Sequence, residues 1–224
     1  MTLNLSGGVA GGDRLATEIA LGPGARALVA GQAAERFYRA LPDSPPARVR
    51  VRLSVAEGAS LEWLPQETIL FDAARLDRRL DVDVAHGARF VGVESLVLGR
   101  AAMGESVERL RLRDVIAVRL GGRLVLHDAV QLAGEARRIL ERPATGKGLR
   151  AFATVLCAGL EDAALLDSVR DALSAAPVEA GVSAWDGLLV ARMAAEDGAR
   201  LRAAVVTVLK VLRDGAALPR VWRC

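Results

Sequence analysis

One recurring unit constrains this chain more than any other feature. A run of alternating polar and apolar residues is followed by a short break, the pair Gly-Ala, and then another apolar run. The pair stands at Gly24-Ala25, Gly58-Ala59 and Gly87-Ala88, ahead of the runs 27–29, 61–63 and 90–93. Glycine lets the backbone turn, and alanine fits where strands pack closely. Intervals of 34 and 29 residues are too uneven for a clean solenoid. Stacked hairpins in a layered or helical β architecture account for them better.

The stretches 49–55, 79–84 and 109–113 alternate polar and apolar residues, which sets one face on a core and the other in water. Gly121-Gly122 between two such stretches marks a tight hairpin. Hydrophobic residues make up 52% of the chain and aromatics only 4%, so the core must be built from Val, Leu, Ile and Ala, which favours strands. A length of 224 residues fits one large domain, 1–224.

The last third changes character. Residues 161–173 carry apolar residues at helical spacing behind two acids, and Pro177 follows. Residues 182–192 read as a hairpin turning at Asp186-Gly187. Residues 197–213 read as a second helix, capped by Asp197 and closed by Gly215; the tail 218–222 reads as extended. The expected class is therefore mostly β, a stacked or helical β-sheet scaffold with two α-helices in the C-terminal third.

Several chemistries find no support in the residues. The formal net charge is only +3, and arginines alternate with acids, as in Arg75, Asp77, Arg78, Arg79, Asp81 and Asp83. That pattern reads as a solvated surface of carboxylate pairs rather than a nucleic-acid patch. Cys157 lies in an apolar run and reads as core, and with Cys224 it makes no disulfide framework. His86 and His127 are 41 residues apart, and no cluster with metal-ligand spacing exists, so no permanently bound cofactor is expected. Lys147 in 143–148 resembles the lysine end of a phosphate loop, but Glu141 stands where that loop needs glycine and Gly148 where it needs Ser or Thr. No apolar run reaches the roughly 18 residues of a membrane span, and the N-terminus lacks signal-peptide order. The chain is expected to be cytoplasmic, with neither nucleic acid nor membrane as partner.

Two segments concentrate polar residues among apolar ones. Residues 61–71 (LEWLPQETILF) hold two carboxylates, an amide, a tryptophan and a proline, and residues 94–105 place carboxylates around Arg100. A buried charge needs a partner, so each segment is either a hydrogen-bonded network or a site.

The same segments carry a family resemblance. Residues 5–13 (LSGGVAGGD), with Gly7, Gly8, Gly12 and Asp13, are similar to the glycine-rich opening of the UreD (UreH) family of urease accessory proteins. Residues 61–71, with Trp63, Pro65 and Gln66, resemble that family's most recognisable motif. Residues 98–105, with Gly99, Arg100, Gly104 and Glu105, resemble a third segment, and 218–222 (LPRVW) the usual ending. Order and spacing agree, and the resemblance covers essentially the whole chain. Family members usually carry several tens of residues ahead of the glycine-rich segment, and this chain starts almost on it; strands missing there would leave an exposed sheet edge.

The resemblance implies a nickel-insertion chaperone without turnover of its own, of unusual β-helical fold with two helices. It implies UreF, the GTP-hydrolysing UreG and the urease apoprotein as partners, with nickel only in transit. Glu62, Glu67, Glu94 and Glu105, then Asp13, are the candidates for lining a nickel route, because oxygen ligands hold nickel less tightly than a His or Cys cluster. The competing reading is that these acids pair with arginines such as Arg100 and fix the fold. Two other classes stay open: a hydrolase or transferase using Glu62 and Glu67 as an acid–base pair, which strand geometry sets on opposite faces, and a β-rich interaction module unrelated to urease.

Overall fold

The computed structural model describes residues 2, 4–100, 104–159 and 164–222. Its first half winds in coils. The first coil runs through β1 (Arg14–Leu21), β2 (Arg26–Ala30) and β3 (Glu35–Phe37), and the second through β4 (Ala47–Val55), β5 (Ser60–Leu64) and β6 (Thr68–Leu70). The third runs through β7 (Arg75–Val84) and β8 (Arg89–Leu98).

Each Gly-Ala pair is a corner between sheets. Gly24, Gly58 and Gly87 adopt φ of +70°, +67° and +68°. The corners stack on one another: the Ser60 amide donates to the Ala25 carbonyl and the Arg89 amide to the Ala59 carbonyl, both across 2.9 Å. Strands then lie coil upon coil in parallel, β1, β4 and β7 in one sheet and β2, β5 and β8 in the other, with β3 and β6 extending the second. The helical architecture stands, but the hairpins expected at these breaks are corrected. The strands on either side of a Gly-Ala pair do not bond to each other, because the corner sends the chain across to the opposite sheet. The uneven interval comes from the returns, residues 38–46 after the first coil and 71–74 after the second.

β9 (Arg109–Leu120) adds to β7 in parallel and turns at Gly121-Gly122 into antiparallel β10 (Arg123–Glu135), giving the first sheet the order β1-β4-β7-β9-β10. A five-residue helix, α1 (Ala136–Leu140), follows; it is too short for any periodicity to announce. β11 (Ala151–Ala158) pairs antiparallel with β8. After α2 (Ala164–Leu173), β12 (Glu179–Trp185) and β13 (Leu188–Ala195) complete the second sheet in the order β12-β13-β11-β8-β5-β2. Their turn falls at Asp186-Gly187, as expected.

α3 (Gly198–Leu212) begins where the sequence places it: an Asp197 carboxylate oxygen accepts from the Arg200 amide at 2.8 Å. Gly215, at φ +73°, donates its amide to the Lys210 carbonyl across 2.8 Å and closes the helix. Glu161 and Asp162, expected to open the first of the two helices, lie outside the described residues, as does Cys224. The tail is not extended. Arg220–Trp222 form a 3₁₀ turn, because folding back buries the Trp222 ring to 4% exposure.

Two cores follow from this layering. Leu53, Leu76, Leu80 and Phe90 pack between the sheets, whereas Val91, Val93, Val155, Leu201, Val205 and Leu209 pack between the far face of the second sheet and α2 and α3. β8 serves both, since its alternate residues point to opposite sides. Each such side chain contributes about 1.5–3 kcal/mol when fully buried.

Candidate functional site

Apolar positions of β7 and β9 point between the sheets, and each strand breaks its inward row once. Arg78 interrupts Leu76, Leu80 and Val82, and Asp114 interrupts Leu110, Leu112 and Ile116. Parallel register sets the two opposite each other. Arg78 grips Asp114 with a fork: Nε donates to Oδ1 at 2.8 Å and Nη2 to Oδ2 at 2.6 Å. From the opposite sheet, Glu94 of β8 brings Oε2 to 2.6 Å from Arg78 Nη1, which also donates to Thr68 Oγ1 at 3.0 Å. Trp63 Nε1 donates to the other Glu94 oxygen at 2.9 Å. Arg78, Glu94 and Asp114 are each less than one-tenth exposed.

One guanidinium thus serves two carboxylates in a buried position, leaving these three side chains one negative charge in excess when both carboxylates are ionised. Burial pushes the Glu94 carboxyl above its ordinary value, against the opposing pull of the Arg78 charge. Asp114 holds the two-point grip, whereas Glu94 accepts from Arg78 on one oxygen and from Trp63 on the other.

The cluster forms one end of a cavity of about 620 Å³ between the sheets. Leu96, Leu98, Leu112, Ile116 and Phe152 line it, and its more exposed rim includes Asp128, Arg192 and the turn at 143–147. Arg192 Nη2 donates to Asp128 Oδ2 at 2.9 Å.

Of the five acids singled out from sequence, only Glu94 reaches this cavity. Glu62 points the other way, to the helix layer, where Arg213 Nε donates to it at 2.7 Å. Glu67 accepts from Arg202 Nη1 at 2.8 Å, and the same nitrogen donates to Gln66 Oε1 at 2.6 Å. Each glutamate thus has its own arginine, and the two share no pocket. Glu105 accepts from Arg100 Nε at 2.9 Å, while the Arg100 guanidinium lies 4.5 Å from the Phe71 ring centre. Asp13 accepts from the Ala10 amide at 2.8 Å within its own turn.

The other motif residues occupy structural positions. Gly7, Gly8 and Gly12 shape the loop before β1, where the Tyr38 ring fills the space a Gly8 side chain would need. Gly99 brings its backbone against the Glu105 carbonyl, and Gly104 sits nearby at positive φ. Pro65 and Gln66 lead out of β5, and Gln66 Nε2 donates to the Val221 carbonyl at 2.9 Å. Segments 61–71 and 218–222 therefore meet in space.

Sequence reasoning missed Asp114 and Thr68 and set Arg78 on a solvated surface, whereas the inward phase of β7 buries it. A signal was present for two of them: in the period-two pattern Arg78 and Asp114 occupy inward phases among leucines, isoleucine and valines. Among the described residues, no group of three or more His, Cys, Asp or Glu side chains stands close enough to hold a metal ion. No helix of the described chain is long and apolar enough to cross a membrane.

Fold and site together define a β-helical scaffold, backed by helices, whose buried ionic cluster borders a cavity open at its rim. The family model of the UreD urease accessory protein matches residues 1–223. The chain is 45% identical over 220 residues to urease accessory protein UreD of Rhodopseudomonas palustris strain HaA2, covering 98% of this chain and 77% of that protein. It is 44% identical over 220 residues to the UreD of Azorhizobium caulinodans, with 98% and 80% covered. Against the UreD of Xanthobacter autotrophicus the identity is 46% over 220 residues, with 98% and 75% covered. The chain belongs to the UreD family of urease accessory proteins.

Proposed function

We propose that this chain is a non-catalytic cytoplasmic factor in urease maturation, binding the urease apoprotein together with UreF and UreG and assisting delivery of nickel. Family membership across residues 1–223 carries this reading. The cavity between the sheets supports a route for nickel as cargo. It combines an apolar wall with a cluster holding more carboxylate than guanidinium. An ion passing Glu94 and Asp114 competes with Arg78 for the same oxygens, which favours release over storage. Glu94 is therefore the favoured acid, whereas Glu62, Glu67, Glu105 and Asp13 are committed elsewhere.

The test deletes the gene from its host, supplies this chain on a plasmid, and measures urease activity and urease-bound nickel. Loss of both signals with normal apoprotein levels, restored by the plasmid, supports the role. Unchanged activity and nickel in a host with a single copy sinks it. Plasmids carrying Glu94→Gln and Asp114→Asn then test the route: bound nickel should fall while complex formation persists.

A further inference from the structure

Parallel stacking assembles a surface that alternation along any one strand conceals. Outward positions of β1, β4, β7 and β9 fall in registered rows on the face of the first sheet turned away from both long helices. On that face arginines outnumber carboxylates, and three cross-strand pairs set arginine beside arginine: Arg14 with Arg48, Arg50 with Arg79, and Arg75 with Arg111. Like charges directly opposite on adjacent strands are destabilising. Asp77 and Asp81 relieve part of this by pairing with Arg50, Arg113 and Arg79. Arg14, Arg48, Arg52, Arg111 and Arg119 make no side-chain hydrogen bond or ion pair among the described residues, although the charges of Arg52 and Arg119 act on Asp81, and the registered charged neighbours of Arg14 and Arg111 are arginines alone.

We propose that this arginine face docks a carboxylate-rich protein surface, that of a partner in the maturation complex. The proposal rests on the maturation reading. Arginine's planar fork suits two-point bonding to carboxylates, and arginine is enriched in protein interfaces. Nucleic acid fits the face less well: none of the outward positions of β1, β4, β7 and β9 carries an aromatic side chain to stack a base.

The test co-expresses the tagged chain, or its Arg14→Glu/Arg111→Glu variant, with the urease subunits and accessory proteins of its gene cluster, and isolates the complex. One of these proteins, bound by wild type, should be held at least about ten-fold more weakly by the variant, and should leave wild type as salt rises from about 0.05 to 0.3 M. Circular dichroism of the variant should match wild type and its unfolding midpoint should not fall, since both side chains face solvent and each new glutamate stands beside an arginine. A variant that retains every protein, or a complex indifferent to salt, overturns the docking face and leaves the maturation role standing. Nucleic acid co-purifying with wild type and absent from the variant also overturns it, in favour of the other partner class. A wild-type chain that binds none of the proteins sinks the maturation reading, and the face with it.

Discussion

The indole of Trp222 donates to the Leu64 carbonyl across 3.1 Å, fastening the last described turn to a strand end 158 residues earlier. Arg202 reinforces the joint from α3: its guanidinium lies 4.8 Å from the Trp222 ring centre and bonds Gln66, Glu67 and the Val221 carbonyl. The tail is thus part of the core that holds the helices on the second sheet.

Trp222→Ala should cost about 3–5 kcal/mol, the range for deleting a large buried aromatic. Trp222→Phe, which keeps most of the burial and loses the hydrogen bond, should cost about 1–2 kcal/mol. Urea unfolding followed by circular dichroism separates the two. Equal costs would mean that the hydrogen bond, not the packing, holds the tail.

Arg78→Met should destabilise by about 3–5 kcal/mol, because two buried carboxylates lose their shared partner. Adding Glu94→Gln and Asp114→Asn removes the stranded charges and should recover part of the loss. A single variant that unfolds within about 1 kcal/mol of wild type would contradict a closed ionic cluster.

The Glu94 carboxyl should leave a trace in the pH dependence of stability. Its folded pKa lies above the ordinary 4.5, with burial as the main cause. The folded state therefore binds the proton more tightly than the unfolded state. The stability this contributes is complete below 4.5 and is lost as pH rises through the raised value. Relative to Glu94→Gln, wild type should lose stability as pH climbs above 4.5. Parallel curves in urea titrations at several pH values would show that Glu94 ionises as an ordinary carboxylate.

Gly159→Ala should be severe. At φ +78° the backbone suits glycine, and an added Cβ would stand 1.9 Å from the Ala88 carbonyl oxygen, within one of the stacked corners. A loss of at least about 2 kcal/mol is expected from strain and displacement combined. An unchanged midpoint in thermal unfolding would show that the corner yields freely.

What the sequence determined by itself is local. Period-two alternation identified strands of the first sheet, Gly121-Gly122 and Asp186-Gly187 marked one hairpin in each sheet, and Asp197 and Gly215 bounded α3, because each signal spans only the few residues that make the bond or turn. The Gly-Ala pairs announced breaks, yet nothing local told whether the chain would fold back on its neighbour or cross to another sheet. That depends on how the corners stack, through bonds such as Arg89 to Ala59. The same tertiary choice brought Arg78, Glu94 and Asp114 to one point from three strands, joined segment 61–71 to the tail, and gathered arginines of separate strands on one face. Register between coils decides such meetings, and register is set by packing across tens of residues rather than by any pattern within them.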